Sequence, residues 1–343
     1  MTYSLLYLKF LKILESSKFK NLPKIELHLH LDCSLSYDVV KKIDPTIDLN
    51  QYESLFQAGE SCSSLKDYIK CADRAIELMQ TKENLEFIVE DLFNQLHEDN
   101  VIYVEIRFAP LLHCKGELNA EKVVEIIRKS ASIQSKKHNI DYGIILCTLR
   151  HYTEEDSLKT VKLVNEFSKK GVVGFDIAAD EAGYPIDNHI KAFTYAKNNN
   201  LNITAHAGEA KGSESIWETI NELHAKRIGH GVRCLEDKKL VQFLSENNYH
   251  LEICLTSNIK TNTFNSFIDH PINKIYDSSI SLSLNTDGRA ISNTSLSKEY
   301  AIAHNELNWN IEKIIQSNLN AIEHSFTSNE TKEKLRNLLK SFT

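Results

Sequence analysis

Eight short apolar runs, separated by longer segments of helical period, are the feature that most constrains the fold of this 343-residue chain. Short apolar runs predict buried strands, and helices between them predict parallel βα units. The predicted strands span residues 25–31, 101–108, 142–148, 172–178, 202–206, 227–230, 250–255 and 280–285. Such a series is compatible with either an eight-stranded barrel or a doubly wound open sheet.

Helical periodicity fills the intervals between these strands and continues after the last of them. The predicted helices span residues 120–130, 155–168, 190–198, 214–225, 237–246, 296–305, 311–322 and 332–341. The segment 45–100 is too long for a simple crossover between the first two strands. We expect extra helices near 65–79 and 86–98 that cover one end of the domain.

Two observations favour the barrel over the open sheet. No glycine-rich phosphate loop follows the first strand, where a dinucleotide-binding sheet carries one. Polar residues follow at least four different strands, and in a barrel the carboxyl ends of all strands surround one mouth. We therefore predict an α/β fold, a (β/α)8 TIM barrel over residues 1–343 as a single domain, with extra helices after strand 1 and at the C-terminus.

Composition excludes several classes of partner. A net charge of −7 and an isoelectric point near 6.1 give no sign of a nucleic-acid or membrane-surface partner.

The segment 5–14 contains two interrupting lysines and precedes no cleavage site, so we interpret it as an amphipathic helix and not as a targeting signal. The seven cysteines include no C-x-x-C motif and fit free thiols in a reducing compartment. We expect a cytoplasmic protein without a membrane span.

The sequence His28-Leu29-His30 ends the first predicted strand. Side chains alternate along a strand, so both imidazoles lie on the same face. Buried polar groups require partners, and a metal ion is the simplest partner that two adjacent imidazoles can share. The alternative is an ordinary pair of surface histidines at the end of a strand.

Four further motifs follow the fifth to eighth predicted strands: HAGE (206–209), GHG (229–231), SN (257–258) and NTD (285–287). Each has a purely structural interpretation when taken alone. His206 could be a hydrogen-bonded core histidine, His230 a helix cap and Asp287 an N-cap. Their occurrence around the mouth of one barrel instead favours a single shared site.

The chemistry of these residues is mutually consistent. The imidazoles of His28, His30 and His206 and the carboxylate of Asp287 form a ligand set for a catalytic zinc with room for a water. Zinc lowers the pKa of that water towards neutrality. Glu209 is a candidate proton donor to a substrate, and His230 could take or hold the proton of the water. The roles of Ser257 and Asn258 stay open.

The combination of ELHLHLD (26–32), HAGE, GHG, SN and NTD resembles the adenosine deaminases, zinc enzymes with a (β/α)8 barrel in the amidohydrolase superfamily. The likeness runs from about residue 22 to the C-terminal helices and includes VIYVEIRFAP (101–110) and residues 174–181. The occurrence of these motifs in the family order makes the resemblance specific.

The resemblance implies a function and a role for each site residue. The activity would be the hydrolysis of adenosine or 2′-deoxyadenosine to the inosine product and ammonia, in purine salvage. One Zn²⁺ per chain would be bound by His28, His30, His206 and Asp287. Glu209 would protonate purine N1, and His230 would act as a base and electrostatic guide for attack at C6. The substrate contacts would be His30, Asp32, which binds a ribose hydroxyl, and Ala179, whose backbone N–H would meet purine N3.

Three positions depart from the family pattern. Gly288, followed by Arg289, stands where many members carry a second aspartate that contacts purine N7. Ala179 replaces a glycine, and alanine resists a positive φ. Cys33 follows Asp32 where glycine is usual. We therefore expect altered substrate recognition. An aspartate introduced at 288 is expected to restore the side-chain hydrogen bond to purine N7.

Three alternatives to adenosine deamination are considered. The substrate could be another 6-aminopurine nucleoside, such as 6-aminodeoxyfutalosine or methylthioadenosine. A catalytically silent barrel that binds a nucleoside or a protein is disfavoured by the complete set of ligands together with Glu209 and His230. A non-deaminating amidohydrolase is disfavoured because such enzymes commonly add a carboxylated lysine and a second metal, and no lysine ends the fourth predicted strand. The sequence predicts no oligomeric state.

Overall fold

The computed structural model describes residues 18–341, and the predicted helix at 5–14 lies outside them. Eight strands are present in this part of the chain, each close to its predicted position. They are β1 (Lys24–His30), β2 (Val101–Phe108), β3 (Asp141–Leu149), β4 (Val172–Ala178), β5 (Thr204–Ala207), β6 (Arg227–His230), β7 (His250–Ile253) and β8 (Ser281–Leu284). The seventh and eighth strands end earlier than predicted, so the polar residues that follow them lie in loops or at helix starts.

The helices alternate with the strands and extend beyond them. They are α1 (Tyr37–Ile43), α2 (Leu49–Phe56), α3 (Leu65–Ile69), α4 (Asp73–Leu78), α5 (Lys82–Glu98), α6 (Ala120–His138), α7 (Glu154–Phe167), α8 (Ile190–Asn198), α9 (Ser213–Glu222), α10 (Lys238–Glu246), α11 (Leu255–Lys260), α12 (Ile272–Asp277), α13 (Leu296–Leu307), α14 (Ile311–His324) and α15 (Asn329–Lys340). The predicted helix 65–79 is divided into α3, a 3₁₀ turn and α4. The sequence patterns did not predict α1, α2, α11 and α12.

All neighbouring strands are parallel, in the order β1 to β4 and β5 to β8. Single bridges close the two seams between these sets, Phe175 with Ile203 and Leu29 with Asp287. At the second seam His30 N donates to Asp287 O at 2.7 Å, and Asp287 N donates to His28 O at 3.0 Å. The strands therefore form a closed barrel, which confirms the predicted (β/α)8 fold and excludes the open sheet.

Side chains complete the seam between β8 and β1. Asn285 Oδ1 accepts hydrogen bonds from Leu27 N at 2.8 Å and His28 N at 3.1 Å, and Asn318 Oδ1 accepts one from Ile25 N at 2.9 Å. Buried backbone N–H groups need such partners, because β8 offers β1 few ladder bonds. These contacts fix the position of β1 relative to the end of β8.

Charged side chains fill part of the barrel interior. Arg107 donates to Asp176 at 2.9 Å and to Glu252 at 2.7 Å, and Arg227 donates to Glu105 at 2.6 Å. All five side chains are buried, and each charge has an opposite charge beside it. The apolar core lies mainly between the barrel and the surrounding helices. Among the described residues, no helix is long and apolar enough to cross a membrane.

Candidate active site

Four side chains converge at the mouth of the barrel. One ligand atom from each of His28, His30, His206 and Asp287 lies within 4.8 Å of the others. Asp287 Oδ1 is 3.4 Å from both His28 Nε2 and His30 Nε2, and His30 Nε2 is 3.1 Å from His206 Nε2. Ligands bonded to one tetrahedral ion are about 3.3 Å apart, given metal–ligand bonds near 2.0–2.1 Å. The structure thus brings together the four predicted ligand residues at a spacing that suits a metal ion.

The outward nitrogens of two of these histidines are held by buried carboxylates. His28 Nδ1 donates to Glu252 Oε2 at 2.9 Å, and His206 Nδ1 donates to Asp176 Oδ1 at 3.2 Å. A proton on Nδ1 leaves the Nε2 lone pair directed at the centre of the cluster. His28 Nε2 is buried without a hydrogen-bond partner among the described residues. An unpaired buried nitrogen is unfavourable, so the donor set fits a bound metal ion.

The arginines inside the barrel keep these supporting carboxylates charged. Burial raises the pKa of Glu252, but Arg107 and Arg227 outweigh it and hold that pKa well below its usual range. Asp176 is affected in the same way, since His206 and Arg107 outweigh its burial and lower its pKa. Both carboxylates therefore stay ionised as hydrogen-bond acceptors for the histidine ligands.

Three residues of the site have left-handed backbone conformations that non-glycine residues rarely adopt. The φ angles are 81° at Ala179, 62° at His230 and 63° at Asp287. Such conformations persist only where surrounding contacts impose them, and they are concentrated at functional sites. Ala179 thus accepts the positive φ that we expected alanine to resist. Ser257, whose role was open, donates to Asp287 Oδ2 at 2.6 Å and leaves Oδ1 to the cluster.

Glu209 lies beside the four ligands and is 4 % exposed. Thr261 Oγ1 donates to its Oε1 at 3.2 Å, and His230 Nε2 lies 3.5 Å from its Oε2. Burial raises the pKa of Glu209 well above its usual range, and the nearby carboxylates of Asp287 and Glu181 raise it further. A carboxyl group in these surroundings is suited to donate a proton near neutral pH.

Glu181 holds the loop that carries Glu209, a role that the sequence patterns did not predict. Its Oε1 accepts from Gly208 N at 2.7 Å and from Ser215 Oγ at 2.5 Å. Its Oε2 accepts from the backbone N–H groups of residues 209–211 at 3.0, 2.6 and 2.9 Å. One carboxylate thus receives five hydrogen bonds and fixes the conformation of this loop.

A cavity of about 250 Å³ lies over the cluster. The predicted substrate contacts His30, Asp32 and Ala179 line it, together with Glu209 and His230. Apolar side chains from α3, α4, the 3₁₀ turn after β2 and the end of β3 form much of its wall, including Leu65, Tyr68, Ile69, Ile76, Leu112 and Leu149. Apolar walls with a few convergent polar groups are typical of a small-molecule site. The helices after β1 therefore cover the mouth, as predicted.

Known proteins resemble this chain over almost its whole length. The family model described as adenosine deaminase matches residues 23–342. The adenosine deaminase of Clostridium acetobutylicum is 37% identical over 322 residues, which cover 92% of this chain and 96% of that protein. The structure of the N6-mAMP deaminase from Arabidopsis is 27% identical with a TM-score of 0.84, covering 95% of this chain and 99% of that one. An adenine deaminase from Arthrobacter aurescens shares the fold at 21% identity, with a TM-score of 0.86 and coverage of 94% and 99%.

Proposed function

Because the chain belongs to the adenosine deaminase family and is a hydrolytic deaminase, we propose that it converts adenosine and 2′-deoxyadenosine to inosine and 2′-deoxyinosine with release of ammonia. The observation that carries this proposal is the position of Glu209. Its buried carboxyl group lines the same cavity as three of the four clustered ligand residues. A proton donor and a metal site therefore face one small-molecule cavity, as hydrolytic deamination of a purine requires.

The proposed cofactor is one Zn²⁺ per chain, bound by His28, His30, His206 and Asp287. Three imidazole nitrogens and one carboxylate oxygen are donors that zinc prefers. When bound, such an ion lowers the pKa of a water ligand towards neutrality, so that the water can attack C6 of the purine. Asp176 and Glu252 would keep His206 and His28 oriented for binding, through the contacts described above.

Glu209 is the proposed acid. Its raised pKa favours the protonated form, which can donate its proton to purine N1 and make C6 electrophilic. The carboxylate left behind can accept a proton from the attacking water and return it to the amino group that leaves as ammonia. His230, whose Nε2 is 3.5 Å from Glu209 Oε2, faces the same reacting centre.

The cavity suits an uncharged purine nucleoside. Among the described residues that line it, none is lysine or arginine, while Asp32 and Asp73 are acidic groups outside the proposed metal ligands and proton donor. These acidic groups disfavour a phosphate, because like charges repel more strongly where water is excluded. We propose that His30 and Asp32 contact the ribose and that the backbone N–H of Ala179 contacts the purine ring.

The enzyme is proposed to act as one domain over residues 1–343 in the cytoplasm. The seven cysteines are all free, which fits a reducing compartment.

A second candidate function is deamination of a different 6-aminopurine nucleoside, which Gly288 and Ala179 favour: Gly288 offers no side chain to hold purine N7, and Ala179 replaces a glycine in the wall of the cavity. Steady-state assays of ammonia release from adenosine, 2′-deoxyadenosine, methylthioadenosine and 6-aminodeoxyfutalosine, with AMP as the charged control, test both candidates. We expect the highest kcat/KM for adenosine or 2′-deoxyadenosine and a value at least about 10²-fold lower for AMP. A higher kcat/KM for another nucleoside would favour the second candidate. No release from any of them by zinc-loaded enzyme would contradict both.

A further inference from the structure

A chain of three hydrogen bonds leads from a backbone N–H group to His230. It begins at α12, where Ile272 N donates to His270 Nδ1 at 3.2 Å. A backbone N–H can only donate, so His270 Nδ1 must be unprotonated and the ring proton must be on Nε2. Burial lowers the pKa of His270 to about 3, so this histidine is neutral near pH 7.

The second and third bonds pass through Asn258. His270 Nε2 is 3.2 Å from Asn258 Oδ1, and Asn258 Nδ2 is 3.2 Å from His230 Nδ1. The opposite orientation of this amide would place its NH₂ group against the Nε2–H of His270, so that two donors would face each other. All three side chains are at least 95 % buried, so bulk water does not compete for these bonds.

The protonation of His230 follows from this chain. Its Nδ1 accepts a hydrogen bond from Asn258 Nδ2, and a neutral imidazole whose Nδ1 is unprotonated carries its proton on Nε2. That Nε2 lies 3.5 Å from Glu209 Oε2, and the His230 ring is 4.9 Å from the His28 ring between centroids. The Nε2–H group is therefore directed at the reacting centre.

We propose that Asn258 and His270 are positioning residues that hold His230 with its proton on Nε2, so that His230 donates a hydrogen bond into the reaction site and is not its base. This proposal rests on the proposed function. His230 could accept the proton of the attacking water at Nε2 only if its own proton were on Nδ1, where it would face the NH₂ group of Asn258. His230 thus orients the attacking oxygen, while the Glu209 carboxylate receives the proton.

The substitution Asn258→Asp tests this assignment. The aspartate has nearly the same shape but only accepts hydrogen bonds, so it favours a proton on Nδ1 of His230. We expect kcat for adenosine to fall roughly 10²–10⁴-fold, as for a histidine held in the wrong tautomer, with little change in KM or zinc content. Asn199→Asp is the matched control, because Asn199 is exposed and away from the site; both parameters should stay at wild-type values.

Nitrogen-15 NMR of histidine-labelled, zinc-loaded protein provides a readout that a merely structural role would not change. We expect the His230 ring to carry its proton on Nε2 in the wild type and on Nδ1 in Asn258→Asp. A proton on Nδ1 in the wild type would overturn the proposal. The spectrum needs no turnover, so a wild type with Nε2–H that releases no ammonia from adenosine would support the tautomer and contradict the proposed function.

A pair of substitutions at His270 keeps the proposal testable if Asn258→Asp does not fold. His270→Gln retains an N–H donor near the position of Nε2, whereas His270→Phe removes it. We expect His270→Phe to lower kcat at least about tenfold and His270→Gln to restore most of the loss. Equal kcat values for both variants and the wild type would overturn the positioning role.

Discussion

Cys33 and Gly288 share a space in which only one of them can carry a side chain. A Cβ atom added at residue 288 would lie 2.7 Å from Cys33 Cβ and 3.1 Å from Cys33 O. The carbonyl of Cys33 is itself fixed, because it accepts hydrogen bonds from Ala290 N at 3.0 Å and Ile291 N at 3.3 Å. The two departures from the family pattern are therefore one coupled change. An aspartate at 288 alone cannot restore a substrate contact, which corrects the expectation from the sequence.

This coupling predicts a non-additive double-mutant cycle. Gly288→Asp alone should destabilise the protein by about 1–3 kcal/mol through overpacking and should raise KM for adenosine. Cys33→Gly combined with Gly288→Asp removes the contact with Cys33 Cβ but not the contact with the backbone carbonyl, so it should recover part of the lost stability. KM should fall about tenfold if the new carboxylate contacts the purine. Thermal unfolding and KM measured for both single variants and the double variant check this. A single Gly288→Asp variant as stable as the wild type would contradict the coupling.

His206→Ala should lose both the metal and the activity. The substitution removes the imidazole ligand that Asp176 orients, and the remaining three ligands bind the ion less tightly. Elemental analysis after gel filtration should find well under one zinc per chain in this variant and about one in the wild type. His97→Ala, which removes an exposed imidazole away from the site, is the matched control and should retain the metal.

Glu209→Gln should retain zinc but lose about 10²–10⁴-fold in kcat, because an amide cannot donate a proton to purine N1 as a carboxylic acid can. Zinc content and kcat measured on the same preparation separate this effect from loss of the metal. Glu222→Gln, the same change at an exposed position on α9, should leave both values unaltered. Turnover near the wild-type rate in Glu209→Gln would mean that another group is the acid.

His113 predicts how stability depends on pH. Its ring is buried, neither nitrogen has a hydrogen-bond partner among the described residues, and burial lowers its pKa from 6.5 to about 3. Between these two values the unfolded chain binds a proton that the folded protein does not. Stability should therefore fall as the pH decreases from about 6.5 towards 3.

The substitution His113→Phe removes this contribution. Denaturant unfolding of metal-free protein across this pH range should show a shallower loss of stability in His113→Phe than in the wild type. His97→Phe, at an exposed histidine, should follow the wild type. Parallel curves for His113→Phe and the wild type would mean that His113 does not stay neutral in the folded protein.

The strands and the metal ligands could be predicted because their signals are local. Apolar runs mark the strands, and each ligand residue lies at or just after a strand end, where the barrel collects polar groups. Helices α1 and α2 were missed because they are only seven and eight residues long, too short for a clear period. Their caps were visible signals, since Ser36 caps α1, and Asp48 with Gln51 forms a capping box on α2.

The supporting contacts could not be predicted, because they join residues that are far apart in sequence. Glu181 holds the loop at 208–211, and Glu252 holds His28, which is 224 residues away. Asn258 appeared in a motif, but its partner His270 lies in a loop without any pattern of its own. The collision between residues 33 and 288 likewise emerges only when the barrel closes and brings the loops after β1 and β8 together.

A zinc titration of adenosine deamination tests the central claim most directly. Protein stripped with a chelator is titrated with up to about two equivalents of zinc, and ammonia release from adenosine is measured at each step. The account predicts no activity without zinc, a linear rise, and saturation at one zinc per chain, because His28, His30, His206 and Asp287 form one site. Full activity in metal-free protein, saturation only at two zinc ions, or no ammonia from adenosine in the loaded enzyme would contradict it.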